Sequence, residues 1–277
     1  MSVPPLVVCS VAAGLYALGG RGRHRVWREL SFYAGVASVI VVLEPPFDNW
    51  ADTSFALHMT QHVVLLTVSA PLLVLGRPWP RLWLAFPLRA RRAVARALAG
   101  SAGFRLAGRT VTRPAVAFGL MTAALAAWHV PSLYDAAVRN EGIHILEHVC
   151  FLATALLYWG VLLEAPPVRA RIDHLHRAGW FFAALVPGWI LAIVLADASS
   201  PLYGAYVSVA HRPGGLGALA DQQVAAGVMW VPGSLAYFVA GVVAFYRWLG
   251  PAQQPPEPRP EELAWTSSPR TGSPATS

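Results

Sequence analysis

The sequence predicts an all-α polytopic membrane protein, a bundle of seven transmembrane helices with the N-terminus out and the C-terminus in. Three observations predict it. Of 277 residues, 56% are apolar and only 13% are charged. The apolar residues gather into runs close to the roughly 20 residues that cross a bilayer core. All 21 basic residues are arginine, and they fall in alternate connections between those runs.

The seven runs cover residues 3–20, 26–43, 56–75, 114–130, 143–163, 178–196 and 224–249. Pro4 and Pro5 blunt the first, and no basic residue precedes it, unlike a cleavable signal peptide. Arg28 and Glu29 shorten the second, and Arg28 can snorkel to the interface. Pro71, Pro187 and Pro232 lie inside later runs, where neighbouring helices re-satisfy the carbonyls a proline frees. Connections 21–28, 76–113 and 164–177 carry four, nine and three arginines, and the C-terminal region adds Arg247, Arg259 and Arg270. Connection 44–55 carries none, and 131–142 and 197–223 carry one each, Arg139 and Arg212. Strict alternation therefore sets 19 arginines against 2, and the richer side is cytoplasmic by the positive-inside rule.

Residues 1–250 thus form the transmembrane domain, and 251–277, rich in Pro, Ser, Thr and Glu, read as a disordered cytoplasmic tail. The stretch 89–98, with four arginines, reads either as a basic amphipathic helix on the inner leaflet or as a solvated loop. Topology alone accounts for these charges, so nucleic acid is not an expected partner; the lipid bilayer is. The absence of lysine excludes a retinal or pyridoxal Schiff base and a Walker A phosphate loop. Cys9 and Cys150 are too far apart for a CxxC motif.

Ionisable residues inside spans are costly, which makes them functional candidates. His58 and His62 open the third run four residues apart, so they share a helix face. His144 and His148 do the same in the fifth, with Glu147 on the same side. His129 closes the fourth run, and Asp197 follows the end of the sixth. Asp221 and Gln222 precede the seventh, with Met229 two turns deeper. All are expected at the outer face. Imidazoles suit copper, zinc, iron and nickel, and a thioether favours Cu(I). Two HxxxH pairs on facing helices can enclose one ion or two, with Glu147, Asp197 and Asp221 orienting the imidazoles. Each residue also has a plainer role. A single interfacial histidine caps a helix, Met229 fills core space, and Gln222 orients a ligand or bonds across helices.

The stretches His58-Met59-Thr60-Gln61-His62 and 70–78, then 128–135, 144–148 and 221–233, resemble the CtaG family of multi-pass cytochrome c oxidase assembly factors. The resemblance runs from about Leu43 to Leu249. It implies a non-enzymatic protein of the bacterial cytoplasmic (inner) membrane, needed to make an active caa-type haem-copper oxidase and thought to supply its copper. It carries the family's histidine positions onto His58, His62, His129, His144 and His148, and its last-span positions onto Asp221 and Met229. The implied partner is a haem-copper oxidase subunit or a copper-import protein. A b-type haem electron-transfer protein and a copper transporter are the alternatives.

Overall fold

The computed structural model describes residues 5–20, 25–168, 170 and 172–250, and every regular element in them is helical. The predicted tail, and Arg21, Arg23, His24, Arg169 and Arg171, lie outside the described residues. In chain order the first helices are α1 (Pro5–Leu18), α2 (Val26–Leu43), α3 (Phe47–Ala51) and α4 (Phe55–Leu75). They are followed by α5 (Pro78–Ala85), α6 (Leu88–Gly100), α7 (Ala102–Val111), α8 (Pro114–Trp128) and α9 (Pro131–Arg139). The last are α10 (Glu141–Leu162), α11 (His174–Asp197), α12 (Gly204–Val207) and α13 (Ala218–Leu249).

Among the described residues, five helices are long and apolar enough to cross a membrane: α2, α4, α10, α11 and α13. The pair α7–α8 passes the same test but is bent by 76°, because Pro114 cannot continue a helix begun before it. The α1 helix is apolar with 14 residues, short of the usual span length. Several helices begin upstream of the apolar runs that signal them, because their caps are polar. Asn140 accepts from the Ile143 N–H, and Asp173 accepts from the Leu175 and His176 N–H groups. Such caps satisfy donors that have no partner inside the helix.

Helix α4 is the most enclosed span and packs against α2, α10 and α13. Pro71 removes an N–H and crowds a carbonyl one turn back, and the chain widens into a π-helical turn over Leu65–Ser69. Close approach of α2 and α4 depends on small residues. A Cβ on Gly76 would stand 2.6 Å from the Phe32 Cβ, and the Ser38 and Ser69 hydroxyls bond at 2.8 Å. Large apolar side chains such as Ile190, Leu235 and Val239 point outward from α11 and α13, as bilayer-facing residues do. The α6 helix spans the arginine-rich 89–98 stretch and contains no buried residue.

Candidate metal centre

Two helix starts build the site. Ser54 caps α4 through the Leu57 N–H, which fixes His58 and His62 one turn apart. Asn140 does the same for α10, presenting His144, Glu147 and His148. The contact between α4 and α10 brings the two sets together. His58 Nε2 lies 3.1 Å from His62 Nε2. The Glu147 carboxylate faces both, with Oε2 3.6 Å from His58 Nε2 and Oε1 3.7 Å from His62 Nε2. The His58 ring lies 4.9 Å from His144 and 5.9 Å from His148, and His62 lies 5.2 Å from His148. Two ligand groups result, His58–His62–Glu147 and His58–His144–His148, each with its donor atoms within 4.8 Å of one another.

His62 Nδ1, His144 Nε2, His148 Nε2 and both Glu147 oxygens have no hydrogen-bond partner among the described residues. Glu147 is fully buried, and a buried polar atom without a partner is costly. A borderline divalent ion such as Cu(II) or zinc satisfies imidazole and carboxylate donors together. The residues present therefore fit a metal ion, and Glu147 sits among the donor atoms where the sequence suggested only an orienting role.

The rim of the site is aromatic. Tyr206, on α12, hydrogen-bonds the Ala51 carbonyl at 3.0 Å and His58 Nδ1 at 3.0 Å. The carbonyl can only accept, so the hydroxyl proton goes there and His58 Nδ1–H donates to the tyrosyl oxygen. That tautomer leaves His58 Nε2 with its lone pair directed at Glu147 and His62. Phe55, Tyr134, Tyr203 and Tyr206 pack together around this contact.

The remaining candidates separate. His129 is buried at the end of α8, its ring 6.3 Å from His62, and it approaches the thioether of Met59 at 3.3 Å. Met229 packs in the same core as Met59 and lines an apolar cavity of about 60 Å³ between α4, α8, α11 and α13. Asp221 belongs to neither ligand group. Its oxygens accept from Ser54 Oγ and from the Phe55 and Ala56 N–H groups, at 2.8, 2.7 and 3.3 Å, so it caps α4 from across the bundle. Gln222 joins the Leu202 N–H to the Leu195 carbonyl, which ties α13 to the end of α11. Asp197 is exposed at that end. Sequence reasoning missed Tyr206 and Met59. Tyr203 and Tyr206, three residues apart after a span, were the only signal for the rim.

No solved structure matches the chain at a significant level. Uncharacterized proteins of Mycobacterium bovis and Mycobacterium tuberculosis are each 24% identical to it over 255 residues, covering 86% of this chain and 36% of theirs. An uncharacterized protein of Mycobacterium leprae is 20% identical over 240 residues, covering 80% of this chain and 34% of its own. The chain thus spans about a third of the length of these curated relatives. The model of the cytochrome c oxidase caa3 assembly factors matches residues 12–250. With most of its length matched, the chain belongs to that family, CtaG.

Proposed function

We propose that this protein holds copper in the His58, His62, His144, His148 and Glu147 group and passes it to a haem-copper oxidase subunit. One observation carries the reading. Two HxxxH pairs and a buried carboxylate from two helices converge, and five of their polar atoms lack a hydrogen-bond partner among the described residues. Family membership supplies the client class, since the family assembles cytochrome c oxidase. Binding and release suffice for such a role, and no catalytic step is invoked.

We further propose seven spans in the bacterial cytoplasmic membrane, with α1 and α8 as short spans, the N-terminus outside and the C-terminus inside. The arginine asymmetry of 19 against 2 supports that orientation and sets the histidine group at the outer face. A b-type haem has less support. Across the two helices the His58 and His144 rings lie 4.9 Å apart and the His62 and His148 rings 5.2 Å apart, which leaves no slot for a porphyrin between them.

The test is oxidase activity in a deletion strain grown with and without added copper. Complementation by wild type, failure of His58→Ala/His144→Ala, and rescue of that variant by excess copper support delivery. Full oxidase activity in the deletion strain at limiting copper contradicts it.

A further inference from the structure

His129 and Met59 stand apart from the histidine–carboxylate group and pose a separate chemical question. His129 Nδ1 lies 2.8 Å from the Leu125 carbonyl, which can only accept. Nδ1 therefore carries the proton, and a neutral imidazole has only one. Its other nitrogen, Nε2, is a lone pair, and it points at Met59 Sδ at 3.3 Å. A thioether sulfur has no hydrogen to offer. Two electron-pair donors thus face each other inside the protein, with Met59 fully buried and His129 7% exposed.

The arrangement is held in place from several sides. The Leu125 carbonyl anchors one ring edge, and Tyr203 donates to the His129 backbone carbonyl at 3.2 Å. Met59 packs beside Met229 in one core, and Met229 and Met121 line the adjoining cavity. Three of the four methionines in the chain therefore lie in this part of the bundle.

We propose that Met59 Sδ and His129 Nε2 form a second, soft site that takes monovalent copper. A thioether selects Cu(I), whereas imidazoles and a carboxylate also accept divalent ions. The His62 ring, 6.3 Å from His129, links the pair to the histidine group. The identity of the ion rests on the copper reading above; the donor chemistry does not. The soft pair gives reduced copper its own position beside the main site, between α4 and the end of α8.

The test uses Ag(I), a redox-inert stand-in for Cu(I), on full-length detergent-purified protein, with bound metal measured after equilibrium dialysis. Met59→Leu keeps the volume and removes the sulfur. It is expected to bind one Ag(I) fewer than wild type, or to bind it at least tenfold more weakly, while Cu(II) uptake stays within twofold. His129→Gln should lose the same ion. In protein labelled at the methionine methyl carbons, the resonance that Met59→Leu deletes should shift when Ag(I) is added to wild type. Equal Ag(I) binding by wild type and Met59→Leu, with no methyl shift, overturns the soft pair even if the histidine group takes up Cu(II). Loss of Ag(I) in Met59→Leu upholds it even if wild type takes up no Cu(II).

Discussion

The Tyr206 hydroxyl holds His58 by its Nδ1–H at 3.0 Å and so turns Nε2 of that imidazole into the donor atom facing Glu147. The tyrosine lies 148 residues further along the chain, on a short helix outside the spans. Metal-binding histidines are commonly oriented this way, and losing such a partner costs roughly 10–100-fold in metal affinity. Tyr206→Phe keeps the ring and removes the hydroxyl. Copper titration of the purified variant should show weakening in that range with unchanged stoichiometry. Unaltered affinity would show that His58 needs no such orientation.

Asp221, on α13, holds the start of α4 through Ser54 and Phe55 and so joins the two helices. Its carboxylate receives three hydrogen bonds at the start of α4, where the helix dipole also favours negative charge. Asp221→Ala should cost about 2 kcal/mol, the upper end for a lost N-cap. The measurement is the unfolding midpoint in mixed detergent micelles, paired with metal analysis. Lost copper with unchanged stability would make it a ligand instead.

Gly76 sets the approach of α2 to α4. An added methyl group would press on Phe32 at 2.6 Å, with backbone atoms 3.0 and 3.1 Å away, so relief requires the helices to part. Overpacking of this kind costs about 1–3 kcal/mol. Gly76→Ala should unfold earlier by that amount in the same assay, whereas Gly119→Ala, with nothing among the described residues within 4 Å of its added Cβ, should not.

The proposed orientation is open to cysteine labelling. In a Cys9→Ala/Cys150→Ala background, Ser199→Cys should react with an impermeant maleimide in intact spheroplasts. Ala93→Cys, on the exposed α6, should react only after the membrane is permeabilised. Reversed labelling would put the histidine group on the cytoplasmic side.

Helix periodicity made much of this site legible in the sequence. His58 with His62, and His144 with His148, are fixed on common faces by a four-residue spacing, and tertiary packing only had to bring two faces together. Predicted runs matched α2, α4 and α10 within a few residues, because apolar length reports the bilayer directly. What spacing could not report were bonds between distant segments. Asp221 lies at a helix start, where an acidic residue suits that helix's own dipole, yet its carboxylate serves a different helix 166 residues earlier. Met229 was the more evident thioether by position, but Met59, one residue beyond His58, turns off the HxxxH face toward His129. The 76° bend between α7 and α8 and the π-helical turn in α4 follow from Pro114 and Pro71, whose presence was visible but whose geometry depends on the packing around them.

The most direct measurement is copper stoichiometry on detergent-purified full-length protein. Wild type should retain copper after dialysis against a weak chelator. The variant His58→Ala/His62→Ala/His144→Ala/His148→Ala should lose the ion bound by the histidine–carboxylate group while keeping its helical content. Equal copper in the two proteins would contradict the assignment of that group as the metal site.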